Sequence, residues 1–169
     1  MSSGELLGDE FPVNASSTGS QFNPVTTTLN DGSFVVAWVS NVINDPVESG
    51  VYGQIYDSDG TPQGDNFKLS QNTYPHDSQF GYSSLMSVNV APVSSGHQDG
   101  AKFIASWYSH TDEPGLGGLF VNLFDENGTS VRNSTPGISE GRLDAELVGF
   151  DFGLTELEGG NFLISFSGF

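Results

Sequence analysis

The feature that most constrains the fold of this 169-residue chain is the repetition of three short motifs. The first motif reads Leu-Asn-Asp-Gly-Ser-Phe-Val-Val-Ala-Trp, the second Gly-Val-Tyr-Gly-Gln-Ile-Tyr-Asp-Ser-Asp-Gly, and the third Gly-Asp-Glu-Phe-Pro-Val-Asn. Copies begin at Leu29, Asp99 and Leu157 for the first motif, at Gly50 and Gly118 for the second, and at Gly8 and Gly64 for the third. Self-similarity at this spacing indicates a structural unit that repeats along the chain.

Within each unit, apolar and polar residues alternate with a period of two between short runs of Gly, Asn and Asp. This pattern is typical of β-strands separated by turns, and long helical periodicity is absent. Gly32 and Gly60 are predicted to close hairpin turns, because glycine adopts the positive φ that such turns require. The predicted strands are residues 22–29, 33–40, 51–56 and 66–70 in the first unit, and residues 84–93, 102–109, 119–124 and 131–138 in the second.

Four antiparallel strands per unit is the plan of a β-propeller blade. We therefore predict an all-β chain, a partial β-propeller of antiparallel four-stranded blades with about two and a half blades present. Residues 1–14 are expected to form the last strand of a preceding or closing blade, residues 15–72 blade 1, residues 73–139 blade 2 and residues 140–169 an incomplete blade 3. A ring has about four to eight blades, so the expected partners are other segments of the same longer chain or other copies.

The charge balance excludes several classes of partner. The chain has 4 Lys and Arg against 21 Asp and Glu, and its net charge is −17. Nucleic acids and anionic lipids are bound by clustered basic residues, so neither is expected here.

The longest purely apolar run, Phe34 to Val39, is six residues, against roughly 20 needed to cross a bilayer, and membrane insertion is not expected. Cysteine is absent, which excludes disulfides and thiolate chemistry.

Large aromatic residues recur at equivalent positions of the first motif. They are Phe34 and Trp38, Phe103 and Trp107, and Phe162 and Phe166. An exposed series of such rings could stack on sugars. A central strand, however, directs alternate side chains into the neighbouring blade, where burial of a large ring stabilises the fold. We expect these residues to pack in the core.

Two of the turn sequences carry oxygen donors spaced by two residues. Asp57 and Asp59 in one turn, and Asp125 and Asn127 in the other, have the spacing that calcium loops use. A calcium site needs six or more oxygens, so a plain turn is the alternative. These four residues are the candidate Ca²⁺ ligands.

Motifs for catalysis are weak. His76, His97 and His110 lie in polar, loop-like sequence without the spacing of a metal motif. There is no Gly-x-Ser-x-Gly elbow. Glycoside hydrolysis needs two opposed carboxylates, and among 21 acidic residues such a pair can be neither selected nor excluded. No catalytic residue is predicted.

As a set, the motifs resemble the repeat of large secreted bacterial proteins of the repeats-in-toxin and adhesin type. Those blades read approximately Asp-Gly-x-Phe-Val-Val-x-Trp, Val-Tyr-Gly-Gln-x-Tyr-Asp-x-x-Gly and Gly-x-x-Phe-x-Val-Asn. Residues 31–38, 51–60 and 64–69 follow this pattern closely, whereas the third copy has Phe166 in place of Trp. The resemblance implies export, an extracellular or cell-surface location, calcium-rich surroundings and a role in attachment or matrix building, with no catalytic residue.

The expected function is a non-enzymatic β-propeller segment of an extracellular adhesin or surface-assembly protein. Two alternatives remain open from the sequence. One is a carbohydrate-binding or glycan-hydrolysing propeller, for which glycans are the partner. The other is a self-assembling filament subunit whose open sheet edges are completed by strand addition.

Overall fold

The computed structural model describes residues 9–15, 17–42, 49–70, 85–94, 100–109, 118–131, 141–143, 152–157 and 161–166. These ranges contain ten β-strands and no helix, which confirms the all-β prediction. Among the residues described, no helix is long and apolar enough to span a membrane. The strands are β1 (Ser20–Thr28), β2 (Phe34–Asn41), β3 (Gly50–Tyr56), β4 (Pro62–Lys68), β5 (Leu85–Pro92), β6 (Phe103–Ser109), β7 (Gly118–Phe124), β8 (Gly141–Leu143), β9 (Phe152–Leu157) and β10 (Asn161–Phe166).

The strands form three antiparallel sheets in chain order. The first sheet has the order β1-β2-β3-β4, the second β5-β6-β7-β8 and the third β10-β9. The second and third strands of the first two sheets share one register, since Phe34 opposes Tyr56 as Phe103 opposes Phe124. The repeated motifs therefore correspond to repeated sheets.

Three tight turns share one hydrogen-bond pattern, and they span residues 29–33, 57–61 and 125–129. In each turn the first residue donates its N–H to the carbonyl of the fifth, and the fourth residue donates to the carbonyl of the first. The fourth residues Gly32, Gly60 and Gly128 have φ values of +89°, +89° and +74°. This left-handed conformation is open to glycine at little steric cost, and both predicted hairpin turns are confirmed.

The second sheet lies between the other two, because side chains alternate between its faces. One face carries Phe103 and Trp107 into a core shared with Val35 of the first sheet. The opposite face carries Ile104 against Phe162 of the third sheet. The three sheets are thus stacked face to face in the order of the chain.

The backbones of the first two sheets approach most closely at β5, which lies against β1 and β2 and, to a smaller extent, β3. On its other side β5 lies against β9. Large side chains of β6 and β7, among them Trp107 and Phe120, belong to the core that the first two sheets share. The space between the sheets is therefore filled by small and branched residues near β5 and by aromatic rings near β6 and β7.

Three predicted strands differ from the structure. Residues 9–14 form no strand, and they pack against the first sheet instead. The fourth strand of the first sheet is Pro62–Lys68 and not the predicted 66–70. The fourth strand of the second sheet is β8 at Gly141–Leu143, beyond the predicted 131–138 and beyond the expected blade boundary at residue 139. Ser130 forms only an isolated bridge with Phe124, and residues 132–140 lie outside the described ranges.

Candidate functional site

The first pair of predicted calcium ligands stabilises the turn between β3 and β4. One carboxylate oxygen of Asp57 accepts the N–H of Thr61 at 2.9 Å, and the other accepts the side-chain N–H of Gln63 at 3.0 Å. Asp59 accepts the same Thr61 N–H at 2.9 Å. A hydrogen bond with the Asp57 carboxyl, followed by those from Thr61, lowers the pKa of Asp59.

The second pair lies in the equivalent turn after β7. Asp125 Oδ1 accepts the N–H groups of Asn127 and Thr129 at 2.9 and 2.8 Å, while the Asn127 side chain is exposed. In the part of the chain that the structure describes, no three His, Cys, Asp or Glu residues form a group able to hold a metal. The four candidates thus belong to two separate turns, and calcium binding, which stays a prediction, needs further oxygen donors.

The turn before β2 uses its aspartate in the same way. Asp31 accepts hydrogen bonds from the N–H and the hydroxyl of Ser33. These bonds stabilise the charged carboxylate and lower the pKa of Asp31. The repeated aspartates therefore act as turn-stabilising groups in all three loops.

The repeated tryptophans are buried, as predicted. Trp38 is 6% exposed and Trp107 is 1% exposed. Each is stacked on an aromatic ring of the adjacent strand, Trp38 on Tyr52 at 6.4 Å and Trp107 on Phe120 at 6.1 Å between ring centres. Their faces are not available to stack on a sugar, and they belong to the core.

A phenylalanine of the third motif covers a turn of the following sheet. Phe67 of β4 packs against Phe103, with ring centres 6.4 Å apart. A Cβ atom added to Gly128 would lie 2.6 Å from the Phe67 ring. The second sheet thus accepts Phe67 because residue 128 has no side chain.

Phe11, the equivalent of Phe67 in the first copy of that motif, has the same role on the first sheet. Its ring centre lies 5.4 Å from that of Tyr56, and a Cβ atom added to Gly60 would lie 3.6 Å from the Phe11 ring. The Val13 carbonyl accepts hydrogen bonds from the Tyr56 hydroxyl and the Asn66 amide, both at 3.3 Å. Residues 9–15 therefore cover the face of the first sheet that points away from the second.

Sequence reasoning missed a buried amide at one position of the second motif. Gln54 of β3 and Asn122 of β7 are both buried. Gln54 donates to the carbonyls of Ile55 and Gln63 at 2.9 and 3.2 Å. Asn122 Oδ1 accepts from Leu123 N–H and the Ser130 hydroxyl, at 2.9 and 3.1 Å. The sequence feature that could have identified these residues is an amide side chain at the same position of two otherwise apolar strands.

Hydrogen bonds between sheets were also missed. The Asn30 amide donates to the Val93 carbonyl at 2.6 Å, joining the first and second sheets. Between the second and third sheets, the Asn89 amide donates to Phe152 O at 2.7 Å. The Glu156 carboxylate accepts from the N–H of Ser94 at 2.8 and 2.9 Å and from its hydroxyl at 2.7 Å. These contacts join segments that are distant in sequence, and no sequence motif predicts them.

The outward face of the third sheet carries exposed apolar side chains. Leu163 of β10 is 50% exposed, although its counterparts Val35 and Ile104 are 0% and 2% exposed. Those counterparts are covered by the next sheet in the stack, whereas no described sheet follows the third. Leu157 is exposed beside Leu163 on the same face, since it pairs with Asn161 at the start of β10.

The three histidines, His76, His97 and His110, lie outside the described residues. Comparison with protein-family models, with curated proteins and with solved structures found no match for this chain. The repeated contacts within and between the sheets are therefore the basis for a functional proposal.

Proposed function

We propose that this chain is a non-enzymatic β-propeller segment of an extracellular adhesin or surface-assembly protein. The observation that carries the proposal is the stack of three antiparallel sheets in chain order, in which the second sheet is buried on both faces. Blades of a propeller pack on their neighbours in this sequential way.

The closeness of β5 to β1, β2 and β9 supports a radial arrangement over a flat stack. Blades converge on an axis and diverge outward, so their inner strands are close together and larger side chains are needed farther out. Trp107 and Phe120 supply that bulk between the first two sheets. The first strands β1, β5 and β9 would then surround the axis.

The composition supports an extracellular setting. A chain with a net charge of −17 and no cysteine remains hydrated in saline medium and needs no reducing or oxidising compartment. The resemblance of its motifs to secreted repeat proteins points the same way. A role in attachment follows from this resemblance and from a scaffold that presents its turns at the sheet ends.

Spin labels test the architecture, and the absence of cysteine makes their placement specific. One cysteine pair replaces Thr28 and Ser94 near β1 and β5, and the other replaces the exposed turn residues Ser58 and Asn127. Pulsed electron paramagnetic resonance should give a shorter distance for the first pair than for the second. Equal distances would indicate parallel sheets and contradict the propeller.

Binding assays test the function. Beads coated with the chain should attach to cell surfaces or matrix material, whereas chromogenic glycosides should remain unhydrolysed. The matched control is the Trp107→Ala variant, which retains the charge but loses a core residue. Turnover of any glycoside by the wild-type chain, absent in a mock purification, would favour the hydrolytic alternative and overturn the proposal.

A further inference from the structure

One peptide group that follows β5 is hydrogen-bonded to both neighbouring sheets. Its carbonyl, which belongs to Val93, accepts the side-chain N–H of Asn30 from the turn after β1 at 2.6 Å. Its N–H, which belongs to Ser94, donates to the two carboxylate oxygens of Glu156 in β9 at 2.9 and 2.8 Å. Because the C=O and N–H of a trans peptide point in opposite directions, this single group bonds the first sheet on one side and the third sheet on the other.

The second sheet holds this peptide group in place. Val93 is 1% exposed and packs in the core between the second and third sheets. Its own N–H donates to the Lys102 carbonyl at 2.9 Å. Ser94 is exposed, and its hydroxyl donates to Glu156 at 2.7 Å. The bond with Asn30 is therefore partly buried, whereas the bonds with Glu156 lie at the surface.

Hydrogen bonds in such a chain strengthen one another by polarisation. The negative carboxylate of Glu156 attracts the Ser94 proton, and this raises the electron density on the carbonyl oxygen of the same peptide group. The Val93 oxygen then becomes a better acceptor for Asn30. A bond between a carboxylate and a backbone N–H is charge-assisted and stronger than a neutral one, so removal of the charge should have a measurable effect on the opposite side.

We propose that the Val93–Ser94 peptide group couples the two interfaces of the second sheet. Loss of its bond with Glu156 weakens its bond with Asn30, and loss of the Asn30 bond weakens the Glu156 bond to the same extent, because an equilibrium coupling is reciprocal. A change at the exposed carboxylate thus acts on the interface between the first two sheets. This coupling requires only the three stacked sheets and does not depend on the function proposed above.

The direct test measures the Asn30 contact in a variant of Glu156. In the isotopically labelled full chain, the scalar coupling across the hydrogen bond between Asn30 Nδ2 and the Val93 carbonyl carbon reports the strength of that bond. Glu156→Gln removes the charge and keeps the size of the side chain. This variant should decrease the scalar coupling by about 10–30%. An unchanged scalar coupling would overturn the proposal.

Two control variants separate this route from a general loosening of the sheets. Asn89→Ala removes the 2.7 Å bond to the Phe152 carbonyl, which joins the same two sheets without the Val93–Ser94 group. Ser94→Ala removes only the hydroxyl bond to Glu156 and keeps the backbone N–H. Both variants should leave the Asn30 scalar coupling close to the wild-type value. A decrease in either control as large as that in Glu156→Gln would contradict the role of the peptide group.

A double-mutant cycle measures the same coupling as stability. Residues of one hydrogen-bond network are not additive. In urea denaturation, the changes in the unfolding constant caused by Asn30→Ala and by Glu156→Gln, multiplied together, should exceed the change in the double variant by about twofold or more. The cycle of Asn30→Ala with Asn89→Ala is the control and should be multiplicative. A multiplicative result for Asn30 and Glu156 would overturn the proposal.

Discussion

Trp107 and Trp38 occupy equivalent positions on strands of the same register, but they face different surroundings. Trp107 lies in the core between the first two sheets. Trp38 lies on the face of the first sheet that is directed away from the second, because it is one residue out of phase with Ala37 and Val39 of that core. A repeated residue can therefore stabilise different interfaces.

Replacement of Trp107 by alanine should lower the free energy of unfolding by about 3–5 kcal/mol, since it leaves a cavity between two sheets. Urea denaturation followed by tyrosine and tryptophan fluorescence measures the effect. The Phe11→Ala variant, which removes a ring that is 49% exposed, serves as the control and should lose about half as much or less. Equal losses would contradict the central position of Trp107.

The acid sensitivity of the fold should depend on Asp31. Its pKa is lowered from 3.8 in the folded state by hydrogen bonds from Ser33. A depressed folded-state pKa gives a contribution that is full above pH 3.8 and is lost as the pH falls through the lower value. Asp31→Asn should therefore reduce stability at pH 6 and flatten the decline of stability as the pH falls below 3.8 in urea titrations. If the loss of stability at low pH is the same in the variant, protonation of other carboxylates determines the acid sensitivity.

Calcium binding at the turns can be measured directly. Millimolar Ca²⁺ should raise the Tm of the wild-type chain, because a ligand that binds only the folded state stabilises it. The variant with Asp57→Asn and Asp59→Asn should show a smaller rise, and magnesium at the same ionic strength controls for screening. If calorimetry shows no heat of binding and Tm does not change, the calcium prediction is wrong.

At the scale of the elements, the turn after β7 contacts β4 of the preceding sheet so closely that residue 128 must be glycine. Gly128 and Gly100 both have positive φ, +74° and +73°. A Cβ at residue 128 would meet the Phe67 ring at 2.6 Å, whereas nothing lies within 4 Å at residue 100. The two positions differ in steric contact and not in backbone conformation.

Gly100→Ala should therefore cost about 1 kcal/mol of stability, the usual penalty of a left-handed residue with a side chain. Gly128→Ala should cost about 1–3 kcal/mol more, because the clash adds to the same strain. Thermal unfolding of the two variants measures the difference. Similar stabilities would mean that β4 and the turn after β7 can separate without penalty.

The strands that sequence could predict were those with strong alternation and a glycine turn beside them, such as β2, β3, β6 and β7. Their burial followed from the same pattern, and so did the core position of the tryptophans. Strand β8 could not be predicted, because Gly-Arg-Leu has no alternation long enough to distinguish it from a loop. Residues 9–14 copy the sequence of a strand, but among the described residues they pair with no strand. They contribute the packing of Phe11 and the hydrogen bonds that the Val13 carbonyl accepts.

The candidate site was predictable only in part. The sequence indicated Asp57, Asp59, Asp125 and Asn127 as oxygen donors, but not that Asp57, Asp59 and Asp125 would accept hydrogen bonds from their own turns. The contacts of Asn89 and Glu156 with other sheets depend on how sheets stack, and composition carries no information on that. Local chemistry is therefore readable from sequence here, whereas the pairing of distant segments is not.

At the scale of the whole molecule, the charge of −17 opposes the compact state through self-repulsion. Raising sodium chloride from 10 to 150 mM should increase Tm, because the screening length falls from about 30 to about 8 Å. An equal osmolality of a neutral sugar is the control for solvent effects. A Tm that falls with added salt would show that the few ion pairs, such as Lys102 with Glu126 at 4.0 Å, outweigh the repulsion.

The unequal ends of the stack have a consequence for how larger structures could be built from it. Phe11 lies over the outer face of the first sheet, and Leu163 leaves the outer face of the third sheet bare. Within the described residues, the two outer faces of the stack therefore differ in polarity. A further sheet would meet the segment of residues 9–15 at one face and an exposed leucine at the other, so the two faces offer different surfaces for packing.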